Sequence, residues 1–178
     1  QYIYSLILFT LFVENVSLFS QFYIIMWFNK FRKVLKDADQ QIKYTKNEEN
    51  IHALVGIKII QTIQKEYPEL FDEELRQKVV HEAKEAFKAE SKIVDWMLGD
   101  YHGENLSKDI LKEYIKNRIN VSLEMIGFEK PFHIDEKLIT QTEWMNEEVF
   151  GNIMTDFFNQ RPVDYSKAHA SFEEEDLF

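Results

Sequence analysis

The chain has 178 residues, 45% of them hydrophobic, with five glycines, three prolines and no cysteine. That length supports one domain with a sizeable core, and so few chain breakers exclude a many-turned β fold and predict long helices. The lack of cysteine excludes disulfide frameworks, thiolate metal sites and thiol catalysis, and suits a reducing cytosol, while a formal net charge of −10 argues against nucleic acid, whose phosphates require a basic face.

The first predicted helix runs from about Tyr2 to Leu35. Between Tyr2 and Phe28 its only formally charged side chain is Glu14. The stretch exceeds the roughly 20 residues that span a bilayer, and Lys30, Arg32, Lys33 and Lys36 follow it like a cytoplasmic flank. The central Glu14 and the scattered Asn15, Ser17, Ser20 and Gln21 favour a fully buried core helix, which is apolar all round for the same reason. A signal peptide fits poorly, because no basic region precedes the run and no small-residue cleavage pattern closes it. Gln1 is no initiator and no N-cap residue precedes the periodicity. The expectation is therefore a truncated, processed or split polypeptide.

Asp37 or Asp39 can cap a second helix, which ends near Glu66 because Pro68 disfavours helical geometry at Tyr67. Asp72 caps a third, closed by Gly99, with Leu75, Val79, Ala83, Ala86, Phe87, Ile93 and Trp96 as its apolar face. Ser107 caps a fourth that ends at Gly127, and a shorter segment lies around Asp135 to Asn146. There is no internal repeat and no glycine-rich phosphate loop. Residues 1–158 form the helical domain; 159–178 read as a flexible acidic tail.

Two features carry chemistry. An isolated carboxylate in apolar surroundings must take up a proton or find a cation, since burying its charge unpaired costs several kcal/mol. Glu14 is such a group. On the second helix stands Glu49-Asn50-Ile51-His52, an acid and an imidazole one turn apart and on one side. A lone Glu on one buried helix with Glu-x-x-His on another is what four-helix di-metal carboxylate proteins use twice; this chain carries it once. The mixed oxygen and nitrogen donors suit iron or manganese. The bland alternative is that Glu48, Glu49 and His52 form a solvated helix face. His81, His102, His133 and His169 have no partner at ligand spacing.

These residues resemble the small, radical-generating subunit of class I ribonucleotide reductase. Val13-Glu14-Asn15 looks like that family's single-Glu ligand helix, and Asn47-Glu48-Glu49-Asn50-Ile51-His52 looks like its second Glu-x-x-His. Leu123-Glu124-Met125-Ile126-Gly127-Phe128 resembles the close of a later helix. Phe157 to Tyr165 resembles the stretch leading to the family's tail tyrosine, and Phe172 to Phe178 the peptide that docks on the large subunit. The resemblance covers nearly the whole chain and implies an all-α, ferritin-like bundle represented by its C-terminal half.

It further implies Glu14, Glu49 and His52 as metal ligands, with Glu49 the bridge between two metals, iron and/or manganese. It assigns radical transfer to Tyr165 and large-subunit docking to Phe172, Leu177 and Phe178. Glu48 occupies the place of an Asp in the family's radical-transfer network, preceded by Asn47 rather than Arg, a departure from the pattern. The remaining ligands would come from an upstream fragment. The implied partners are that fragment, the large catalytic subunit and a second copy in a homodimer, with no nucleic acid and no membrane, in the cytoplasm. The implied activity is generation of an oxidant for reducing ribonucleotides to deoxyribonucleotides. The rivals are another ferritin-like di-metal oxidase or desaturase, and a membrane-anchored acidic interaction protein without catalysis.

Overall fold

A computed structural model describes residues 1–145. The residues described build six α-helices: α1 (Tyr2–Leu8), α2 (Phe19–Arg32), α3 (Lys36–Glu66), α4 (Glu73–Leu98), α5 (Lys108–Met125) and α6 (Glu136–Thr140). Among them there is no strand, only an isolated bridge between Gly103 and Leu106. The all-α class expected from the scarcity of glycine and proline is what the chain adopts.

Several boundaries fall where local chemistry places them. Asp72 accepts from the Leu75 amide, Ser107 from the Ile110 amide and Asp135 from the Lys137 amide, each satisfying a donor that the first helical turn leaves free. Gly99 closes α4 and Gly127 follows α5, both at positive φ, where a Cβ would be strained.

Other expectations need correction. The first helix is not continuous from Tyr2 to Leu35. After α1 the chain widens into a π-helical segment, Phe9–Val13, then makes a turn over residues 14–18 before α2 begins. Leu18, at φ 72°, ends that turn in the left-handed region. The stretch is therefore broken where a membrane span would need to be regular, and no helix among the described residues is long and apolar enough to cross a membrane. The cap of α3 is also not an aspartate. Lys33 and Leu35 both adopt left-handed backbone, so α3 starts abruptly at Lys36, and Asp37 and Asp39 lie inside its first turn. Asp39 instead accepts from Asn29 of α2 at 2.7 Å and pairs with Lys43 at 2.9 Å, tying the two helices at their junction.

On α4 the expected apolar face is kept over most of the helix, with Leu75, Val79, Ala83, Ala86 and Phe87 buried or packed against the core, and departs from expectation at its end. Val79, Ala83, Val94 and Leu98 are buried together with Glu90, whereas Trp96 is 83% exposed. A strict seven-residue repeat drifts relative to a straight helix, and Trp96 falls outside the buried stripe by the end of α4.

One core holds these helices. Leu11, Phe19, Tyr23, Met26 and Trp27 from the first third pack with Ile57 and Ile60 of α3, Val79, Ala83 and Val94 of α4, and Leu111, Tyr114, Ile115 and Ile119 of α5. Its polar ends are bonded. Tyr23 donates to the Asn105 carbonyl at 2.8 Å, Trp27 to the Glu104 carbonyl at 2.9 Å, and Trp144 to the Tyr23 hydroxyl at 3.1 Å. Asn120 of α5 exchanges two hydrogen bonds with the backbone of Phe132 and so pins the segment leading to α6.

Candidate metal centre

Glu14 enters the site from an irregular backbone. Its amide donates to the Phe9 carbonyl at 3.1 Å, a bond five residues back, and the Ser17 amide reaches the Phe12 carbonyl at 2.7 Å in the same wide pattern. Such π-type turns inside helices recur at functional sites, because the extra residue re-aims the side chains beside it. Here the residue that follows the π segment is Glu14 itself.

Glu49 and His52 arrive from the middle of α3, one turn apart, as their spacing predicts. Gly56, one turn further along, lies against Thr10 of the π segment. That close approach brings α3 alongside the turn bearing Glu14.

The three side chains converge. His52 Nδ1 lies 3.3 Å from Glu14 Oε2 and 3.5 Å from Glu49 Oε2, and one donor atom from each residue falls within 4.8 Å of the others. The Glu14 and Glu49 side chains are 15% and 25% exposed, while that of His52 is 61% exposed. The carboxylates sit close to one another: a hydrogen bond that the protonated Glu49 donates to Glu14, then burial, then the Glu14 charge push the Glu49 carboxyl up, and His52 pulls it back. Two carboxylates in this position share a proton or a cation. With an imidazole nitrogen aimed at the same point, the donor set fits a first-row divalent metal such as iron or manganese.

The other expected site residues are not brought here. Glu48 is exposed on α3 beside Glu49. His81, His102 and His133 are exposed and belong to no acidic cluster of ligand spacing among the described residues. Tyr165, Phe172, Leu177, Phe178 and His169 lie outside the described residues, as does the boundary at 158/159.

The sequence alone does not single out two polar groups beside the turn at Glu14. Arg118 of α5 donates to both the carbonyl and the side-chain oxygen of Asn15, at 2.7 and 2.8 Å. Glu90 of α4 accepts from Ser20 at 3.3 Å, and burial pushes its carboxyl above the usual carboxylate range against the hydroxyls of Ser20 and Ser17. The available signal was the run of polar residues Asn15, Ser17 and Ser20 in an otherwise apolar stretch.

The family model for "Ribonucleotide reductase, small chain" matches residues 1–142. The chain belongs to the ribonucleotide reductase small-chain family. Its relatives include the ribonucleoside-diphosphate reductase subunit beta of Treponema pallidum, 27% identical over 136 residues, 76% of this chain and 38% of that protein. The subunit beta of Chlamydia pneumoniae is 26% identical over 175 residues, 94% of this chain and 47% of the relative. That of Aquifex aeolicus is 33% identical over 125 residues, 67% of this chain and 17% of the relative. The chain thus spans less than half the length of these ribonucleotide reductase relatives. Membership agrees with the all-α, ferritin-like architecture, and a dinuclear metal site is the family's general property.

Proposed function

We propose that Glu14, Glu49 and His52 form half of a dinuclear iron or manganese centre in a class I ribonucleotide reductase small subunit. The observation that carries this reading is the convergence of two carboxylates and an imidazole nitrogen within 4.8 Å, from segments thirty-five residues apart, in a chain of this family. When bound, the metals supply an oxidant that the large catalytic subunit uses to reduce ribonucleotides to deoxyribonucleotides.

The chain's own contribution is to hold donors and exclude water. Glu14, Glu49 and His52 would hold the metals, and the Glu49 carboxyl, which already shares its proton environment with Glu14, would be the bridging ligand that the family resemblance implies. Buried Leu11, Phe12 and Val16 make the near side of the turn apolar, which protects an oxidant from quenching.

The remaining ligands come, in this reading, from an upstream fragment. Support lies in the open side of the site: His52 is largely exposed, and Phe9, Val13, Ile51, Val55 and Ile59, on the segments that carry the ligands, are exposed apolar residues. Hydrophobic side chains gathered beside a half-open donor set suit burial under further helices. Tyr165 carries the radical toward the large subunit; Glu48, exposed on α3 and preceded by Asn47, departs from the family's pattern for the neighbouring network. Phe172, Leu177 and Phe178 anchor the docking peptide, and the completed small subunit is a cytoplasmic homodimer. Family membership weighs against the oxidase or desaturase rival. The broken first stretch weighs against a membrane-anchored adaptor.

The test is metal analysis of the 178-residue chain alone and co-expressed with a fragment carrying the upstream helices of a relative. Little metal alone and two metals per completed subunit are expected. Tight binding of two metals by the isolated chain would reject the split site.

A further inference from the structure

We propose that Arg118 is a positioning residue for Glu14, acting through Asn15. This rests on reading Glu14 as a metal ligand and adds the group that fixes where that ligand stands.

The break in the first stretch leaves a specific backbone atom without its helical partner. In a continuous helix the Asn15 carbonyl would accept from the Phe19 amide, but here Phe19 donates to the Val16 carbonyl at 3.2 Å. Arg118 Nε takes the Asn15 carbonyl instead, at 2.7 Å. A second guanidinium nitrogen reaches Asn15 Oδ1 at 2.8 Å, so one planar fork grips both oxygens of the residue next to Glu14.

The same residue is held at its other end. Asn15 Nδ2 donates to Ser122 Oγ at 2.6 Å, and the Ser122 hydroxyl donates to the Arg118 carbonyl at 2.8 Å. Arg118 and Ser122 are one turn apart on α5, so a single helical face captures every polar atom of the Asn15 side chain. The guanidinium also lies 3.4 Å over the Phe19 ring, at the start of α2, and 3.5 Å from the Tyr114 hydroxyl. Arg118 therefore fastens both the residue after Glu14 and the helix that resumes beyond the turn.

Among the described residues, every partner of the charged guanidinium in these contacts is neutral. A desolvated guanidinium that gains no carboxylate is a poor stability device; its fork geometry instead defines one backbone placement. A lysine could supply the charge but only a single point of attachment. Groups that orient metal ligands commonly change metal affinity 10–100-fold when removed.

The experiment is Mn(II) titration of the full 178-residue chain, followed by loss of the aqueous Mn(II) electron paramagnetic resonance signal and carried far enough to define weak binding. Thermal unfolding without metal is measured in parallel. Arg118→Lys and Asn15→Ala should each weaken Mn(II) binding by about tenfold, and the double variant should be little worse than the weaker single one, since both cut one linkage. Arg76→Lys, in an arginine that bonds the Phe71 and Gly127 carbonyls instead, should leave the affinity unchanged even if it lowers Tm. Glu14→Gln marks the site. If Glu14→Gln weakens binding but both Arg118→Lys and Asn15→Ala bind normally, the positioning role is wrong and the ligand assignment stands. If Glu14→Gln itself has no effect, the metal reading falls and takes this inference with it. Should Arg118→Lys fail to fold, the partly exposed Asn15→Ala decides.

Discussion

Gly56 of α3 faces Thr10 of the π segment so closely that a Cβ on Gly56 would collide with both the hydroxyl and the methyl of the threonine. The contact sits one helical turn beyond His52 and four residues before Glu14. It sets the distance between the two elements that bring the candidate ligands together. Glycine is needed there for space, since its backbone is ordinary helix.

Gly56→Ala should therefore destabilise the chain by roughly 1–3 kcal/mol, the usual cost of overpacking, and weaken metal uptake by pushing α3 away from Glu14. Thr10→Ala in the same chain removes the two nearest colliding atoms, leaving its Cβ 3.0 Å away, and should recover much of both losses. Chemical denaturation and metal titration of the two variants check this. A fully stable Gly56→Ala chain with normal metal uptake would mean the approach is not structurally required.

Glu14→Gln should weaken metal loading, because the amide carries no charge to oppose a cation. Glu14→Leu should lose metal too, yet stabilise the metal-free chain, since it removes one of two carboxylates that crowd each other. Metal content of the completed subunit by elemental analysis, and Tm of the chain without metal, separate these effects. Unchanged metal content in the glutamine variant would reject Glu14 as a ligand.

Protons and metal compete at Glu49. Its carboxyl is pushed up chiefly by the hydrogen bond with Glu14, so it holds its proton to a higher pH than a free carboxylate does. Metal affinity should fall as the pH is lowered through that raised value and recover above it, with proton release on binding. In Glu14→Gln the charge of the neighbour is gone, and what binding remains should persist to lower pH. Mn(II) titrations across the acidic range measure the shift.

Glu90 makes a different prediction, about stability. Burial raises its pKa in the folded chain, with the Ser20 and Ser17 hydroxyls opposing. The fold thus binds this proton more tightly than the unfolded chain. The resulting stability is fully present below the ordinary carboxylate pKa and is lost as pH rises through the raised folded value. Glu90→Gln keeps an acceptor for the two serines without the charge. It should be more stable than the parent at neutral pH, with a flatter acid-to-neutral profile in urea denaturation.

The tail predictions concern residues outside those described. Deleting residues 172–178 should abolish turnover with the large subunit without lowering metal content, because Phe172, Leu177 and Phe178 are apolar anchors in an acidic run. Tyr165→Phe should retain binding but stop catalysis, since only an oxidisable hydroxyl is lost. Turnover and subunit pull-down on the completed complex check both; full activity in Tyr165→Phe would remove the relay role.

Much of this molecule is determined locally, and so was legible in the chain itself. Asp72, Ser107 and Asp135 start helices because a short acceptor reaches the first free amides, and Gly99 and Gly127 follow helix ends because they tolerate positive φ. Glu49 and His52 share a face because three residues make nearly one turn. The odd carboxylate at Glu14 announced that it needed a partner. What only the tertiary structure decided is the wide turn from which Glu14 projects. Local preference would run the helix straight through it, and breaking that helix sacrifices backbone hydrogen bonds. Side chains distant in sequence offset the loss: Arg118 and Ser122, more than a hundred residues away, take the atoms of Asn15 that the break exposes, while Glu90, 70 residues away, takes the hydroxyl of Ser20. No spacing rule connects position 15 with position 118, because that contact exists only once α5 has packed against the turn.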